Sequence, residues 1–86
     1  MTETHEIRIK RLRMRSWRRG IKEMDLILGG FADARLAGLD GATLDAYEAL
    51  LEENDWALYY WVTGAREAPG THAPLIRRLS LFHKIA

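Results

Sequence analysis

Cysteine is absent from the 86 residues. That excludes a disulfide framework, a thiolate metal site and a cysteine nucleophile. Small secreted domains often depend on such cross-links, so the absence favours a reducing compartment. Valine occurs once, and no stretch alternates β-branched with polar residues, so strands are poorly supplied. No apolar run approaches the roughly 20 residues a bilayer-crossing helix needs. Catalytic signatures are missing as well. There is no G-x-S-x-G turn, no H-E-x-x-H pair, no P-loop and no G-x-G-x-x-G after a strand. His5, His72 and His83 have no second ligand three or four residues away and read as surface side chains. The expectation is a protein that is not an enzyme and holds no metal and no stable cofactor.

What the chain does contain is a folded domain's composition, with 48% hydrophobic and 29% charged residues. Its length suits a single domain over 1–86 with one modest core, since a chain this size buries only about 60% of its unfolded surface. The net charge of +1 conceals an asymmetry. Residues 1–22 hold eight Lys/Arg against two Glu, a balance of +6, and residues 23–86 hold five against ten, a balance of −5. Such a field either steers a partner of opposite charge or organises the domain internally. The opening MTETHEIRIKRLRMRSWRRG has no apolar core of a secretory signal and carries Glu3 and Glu6. A cytoplasmic, bacterial protein is expected.

Apolar residues recur at spacings of three and four, which predicts consecutive helices with short breaks. The first covers about Glu3–Ser16, with Ile9 and Leu12 inward. The second covers about Trp17–Ala37, with Ile21, Met24, Leu28 and Phe31 on one stripe widened by Ile27. Gly29–Gly30 interrupts it at about 1 kcal/mol per glycine relative to alanine; close helix packing explains the pair better than a hinge does. Asp40 reads as an N-cap for a third helix over Gly41–Glu53, which buries Leu44, Tyr47, Leu50 and Leu51. Asn54 or Asp55 caps a short aromatic helix, Trp56–Thr63, that ends at Gly64. After the loop EAPGTHAP, Pro74 suits the first turn of a last helix carrying Leu75, Leu79 and Phe82. The fold class is all-α, a compact bundle of about five helices.

Two features go beyond packing. Trp56, Tyr59, Tyr60 and Trp61 sit close enough in sequence to face both inward and outward. Trp61 reads as core, whereas Trp56 and Tyr60 serve equally as amphipathic surface or as interface anchors. The second feature is Trp17-Arg18-Arg19-Gly20-Ile21-Lys22-Glu23-Met24-Asp25. On a continuous helix Arg19 and Glu23 would form an i,i+4 pair worth about 0.3–0.5 kcal/mol. Arg preceding Glu is the weaker orientation, and Gly20 between them adds nothing to a helix. A glycine flanked by charges permits close approach of another backbone, which favours a contact site.

The R-G-x-x-E pattern of Arg19, Gly20 and Glu23 resembles the signature of the SdhE family of succinate dehydrogenase assembly factors. Asp25 falls two residues after the glutamate, as in that family. The stretch LLEENDWALYYWVTG, Leu50–Gly64, is similar to the family's second characteristic segment. The spacing between the two segments fits, and the resemblance covers about residues 7–83. It implies a five-helix bundle that binds the flavoprotein subunit of succinate dehydrogenase, or of the related fumarate reductase. It also implies promotion of covalent FAD attachment to a histidine of that subunit. Arg19, Gly20 and Glu23 then form the core of the contact surface, with Trp17, Arg18, Ile21 and Asp25 as neighbours. Glu23 would meet a partner cation and Arg19 a partner carboxylate. FAD would belong to the partner, because the chain has no glycine-rich phosphate loop. The loop AREAPGTHAP does not match the family closely.

Other readings draw on the same residues. Arg8, Lys10, Arg11, Arg13, Arg15, Arg18, Arg19 and Lys22 form a basic arm of the kind that binds nucleic acid. The near-neutral overall charge and the lack of a recognition-helix pattern argue against it, so no nucleic acid is expected. A regulatory, antitoxin-like module could use the same surface. A membrane-surface helix is disfavoured by the narrow apolar face of the first segment. No membrane span is expected, and the chain is expected to act as a monomer.

Overall fold

The computed structural model describes residues 3–84. Five α-helices follow one another: α1 (His5–Trp17), α2 (Lys22–Arg35), α3 (Gly41–Leu51), α4 (Asp55–Thr63) and α5 (Ala73–Phe82), with a 3-10 turn at Leu36–Gly38 after α2. Among the described residues there is no strand, and no helix is long and apolar enough to cross a membrane. The all-α expectation holds.

Capping residues account for most boundaries. Thr4 opens α1 by accepting from the N–H of Ile7, and Asp40 opens α3 by accepting from that of Thr43. Asn54 opens α4 by accepting from Ala57, which settles the choice left between Asn54 and Asp55. Each cap satisfies a donor the first helical turn leaves free. Gly64 closes α4 at φ 83°, the left-handed geometry a C′ glycine supplies without strain. Pro74 lies in the first turn of α5.

One boundary departs from expectation. Trp17 ends α1 instead of starting α2, and residues 18–21 form a non-helical corner between them. The cause is local. The backbone N–H groups of Arg19 and Gly20 donate to the carboxylates of Asp25 and Asp55. Donors captured by side chains are not available to a helical ladder, and Gly20 is a poor helix former in any case. Arg19 and Glu23 therefore do not share the face of one helix.

The core is a single cluster that includes Leu12, Met24, Leu28, Phe31, Leu44, Tyr47, Leu50, Leu58, Val62 and Leu79. It contains the inward stripes read from the sequence, with Ile21 and Phe82 half-buried at its edge. One polar network crosses it. The Tyr47 hydroxyl lies 2.6 Å from the Ser16 hydroxyl and donates to the carbonyl of Leu28 at 3.3 Å, and the Ser16 hydroxyl donates to that of Leu12 at 2.7 Å. Burial pushes the Tyr47 phenol up to about 12, against a smaller opposing effect of its bond with Ser16. Gly29 has a packing role: a Cβ there would fall inside the Trp17 indole. The close-packing reading of that glycine is correct, and the groove it leaves seats Trp17.

Candidate interaction site

Arg19 is held by four neighbours. Its side chain crosses from the α1–α2 corner to the junction between α3 and α4. Its Nε donates to the Asp55 carboxylate at 2.6 Å, its Nη1 to the carbonyl of Leu51 at 2.8 Å and its Nη2 to the carbonyl of Glu53 at 2.8 Å. Leu51 is the last residue of α3, where a helix leaves acceptors unsatisfied and a cation is favoured, and Glu53 lies in the short turn that follows it. The backbone N–H of Arg19 donates to Asp25 at 2.6 Å. The other Asp55 oxygen accepts from the N–H of Gly20 at 2.5 Å. Arg19 and Asp55 are only 10% and 16% exposed, so this clamp sits in surroundings where charge-assisted bonds are strong. Gly20 is exposed on its outer side. On its inner side an added Cβ would stand 2.8 Å from the Asp55 carboxylate, which Arg19 holds in place.

The seven residues singled out from the sequence therefore lie together, in different roles. Arg19, Gly20 and Asp25 build the corner through bonds within the chain. The guanidinium fork expected to meet a partner carboxylate is occupied by Asp55, Leu51 and Glu53. Ile21 is half-buried as the N-cap residue of α2. Trp17 lies over Gly29 with its indole N–H donating to Asp33 at 3.2 Å. Arg18 and Glu23 are exposed, and among the described residues neither charged group has an ion-pair or hydrogen-bond partner. Among the described residues the corner thus leaves the charges of Arg18, Lys22 and Glu23 unpaired, with Leu26 exposed one turn beyond Glu23.

Sequence reading missed Asp55 as a member of this group, although a signal was present. Arg8, Arg11 and Arg15 meet Asp45, Glu48 and Glu52 at a constant offset of 37 residues. The Arg11–Glu48 contact is 2.8 Å, and Arg11 holds the Glu48 carboxyl below its usual range. Arg19 and Asp55 continue the series at an offset of 36. Matching three- and four-residue spacings on two helices running in the same direction make a zipper of opposite charges. The charge asymmetry along the chain is thus largely internal organisation. The basic arm read as a phosphate-binding surface has Arg8, Arg11, Arg15 and Arg19 paired with carboxylates.

Two histidines also differ from expectation. His72 stacks on Trp61 and lies 2.9 Å from the Glu53 carboxylate, and His83 lies 2.7 Å from the carbonyl of Ile27. Both are partly buried packing residues, while His5 is exposed. Among the described residues no three His, Asp or Glu side chains gather as a metal site would need.

These features define a small all-α domain whose α1–α2 corner is held by charge-assisted hydrogen bonds to the start of α4. The family described as flavinator of succinate dehydrogenase matches residues 10–83, and the chain belongs to it. Over 67 residues the chain is 46% identical to the mitochondrial succinate dehydrogenase assembly factor 2 of Schizosaccharomyces japonicus, covering 78% of this chain and 47% of that relative. The same-named protein of Meyerozyma guilliermondii is 48% identical over 61 residues, covering 71% of this chain and 45% of its own length. That of Schizosaccharomyces pombe is 42% identical over 67 residues, covering 78% and 48%. The chain spans about half the length of these curated relatives. Their names place them in mitochondria of eukaryotes, which overturns the expectation of a bacterial cytoplasmic protein.

Proposed function

We propose that this chain is an assembly factor that binds the flavoprotein subunit of succinate dehydrogenase and promotes covalent attachment of FAD to it. Family membership across residues 10–83 supports the reading most strongly. The clamped corner supports it physically, because a contact surface built on fixed backbone loses little freedom when it docks. Glu23 and Arg18 are the charges offered to the partner, while Arg19, Gly20 and Asp25 position them. Trp17 and Ile21 complete the apolar part of the contact.

On this reading the chain is not an enzyme. The flavin bond forms within the partner, between FAD and a partner histidine, and FAD remains the partner's group. The chain contributes by holding partner segments in the geometry where those groups meet. Positioning of that kind supplies several kcal/mol without a reacting side chain in the helper. The chain acts as a monomer, and the homologous subunit of fumarate reductase is a second client of the same chemistry.

The test is reconstitution. The flavoprotein subunit is incubated with FAD, with and without the chain, and covalent flavin is read by in-gel fluorescence. A rise in covalent flavin together with a stable complex is expected. An equal yield with and without the chain, and no complex, would overturn the reading.

A further inference from the structure

Outside the corner, the most unusual surface is the outer face of α4. Trp56 is 55% exposed, and the three rings of Trp56, Tyr59 and Tyr60 pack on one another with centroids 6.1 to 6.4 Å apart. The Arg66 guanidinium covers Tyr60 at 5.1 Å. Tyr59 anchors the group by packing against the core. The array is therefore ordered before any partner arrives. Among the described residues neither the Trp56 indole N–H nor the Tyr59 and Tyr60 hydroxyls have a hydrogen-bond partner.

This face adjoins the corner. Asp55, the first residue of α4 and the one before Trp56, bonds both Arg19 and Gly20, so the start of α4 is tied directly to the corner. Nothing in α4 itself requires a tryptophan there, because Leu58 and Val62 supply its buried contacts.

We propose that the α4 face is the second half of the partner-binding surface, with Trp56 as its anchor. The inference rests on the proposed function, since its occupant is the same flavoprotein subunit. The chemistry specifies the kind of segment it takes. Preordered ring faces accept an apolar side chain at the centre. The indole N–H, the phenol hydroxyls and the Arg66 guanidinium are donors around it, so the segment presents carbonyl or carboxylate acceptors at its rim. Exposed tryptophans and tyrosines of this kind dominate the energetics of protein contacts because large area is gained for few rotatable bonds.

The test is calorimetric titration of the purified succinate dehydrogenase flavoprotein subunit with the wild-type chain, Trp56→Ala, Trp56→Phe, Glu23→Ala and Leu81→Ala. Leu81 is 71% exposed on α5 and serves as the control for losing an exposed apolar side chain. Trp56→Ala is expected to weaken Kd by tenfold or more with an unchanged melting temperature. Trp56→Phe keeps a ring and is expected to recover most of that loss even if the alanine variant is less stable. Leu81→Ala is expected to match wild type. Wild-type affinity for Trp56→Ala alongside weakened binding by Glu23→Ala would overturn this inference and leave the corner assignment intact. No binding by the wild-type chain would overturn both.

Discussion

The ion pairs along α1 and at the corner that follows it divide into two regimes that a sequence writes in the same letters. At Arg8, Arg11 and Arg15 the guanidinium groups meet Asp45, Glu48 and Glu52 on an open surface, with water at hand to replace any partner that leaves. At Arg19 the same chemistry is enclosed, and its acceptors include two backbone carbonyls as well as a carboxylate. Exposed pairs typically contribute about 0–1 kcal/mol. Removing one member of an enclosed pair costs about 3–5 kcal/mol, because the other charge stays buried without compensation. The zipper therefore sets the register of α1 on α3, and the clamp determines the shape of the corner.

The sharpest way to break this contrast is at the clamp. Arg19→Ala and Asp55→Ala are each expected to lower unfolding free energy by about 3 kcal/mol in urea titrations. The Asp55 variant should also loosen Gly20, read as faster amide exchange at that residue. A loss below about 1 kcal/mol for both would place the clamp in the same class as the zipper.

The polar network under the zipper gives the next effect. The folded protein keeps the Tyr47 proton up to about pH 12, whereas the unfolded chain releases it near the ordinary value of 10. The stability from this group is complete below pH 10 and is lost as pH rises through 12, amounting to roughly 2–3 kcal/mol for a shift of that size. Urea midpoints across that range should fall for wild type, and the fall should be shallower in Tyr47→Phe.

At Gly29 two effects oppose each other. Alanine is favoured over glycine in a helix by about 1 kcal/mol. Its methyl would occupy the space of the Trp17 indole, and overpacking costs about 1–3 kcal/mol. Gly29→Ala is expected to be destabilising overall, with a changed Trp17 emission. A stabilised variant with unchanged fluorescence would contradict the packing account.

The zipper should give the smallest response. Glu48→Gln is expected to cost under about 1 kcal/mol, and 1 M salt should erase most of that difference. As pH falls below the ordinary glutamate range, Glu48 must be protonated against Arg11, so its small contribution is lost there.

Much of the fold was legible because periodicity and caps are local signals. Ile9, Leu12, Met24, Leu28, Leu44 and Leu50 are buried as their spacing predicts, and Asp40 and Gly64 stand at the helix ends they mark. The corner was legible only in part. Gly20 marked a break in principle, but the two carboxylates that create it come from Asp25 and from Asp55, 35 residues away. Local spacing says nothing about a bond across such a distance unless the offset between matching charge patterns is read. The histidines were misread for the same reason, since the partners of His72 and His83 lie 19 and 56 residues away. The two segments that carry the family resemblance turn out to be one physical unit, joined by Arg19 and Gly20 to Leu51, Glu53 and Asp55.

The measurement that bears most directly on the corner as the contact surface pairs stability with flavinylation for Glu23→Ala. Glu23 is exposed and unbonded among the described residues, so its removal should leave the urea midpoint within error of wild type. The same variant should lose most of its binding to the succinate dehydrogenase flavoprotein subunit and most of the gain in covalent flavin. An unchanged flavin yield from a normally folded Glu23→Ala chain would contradict the account.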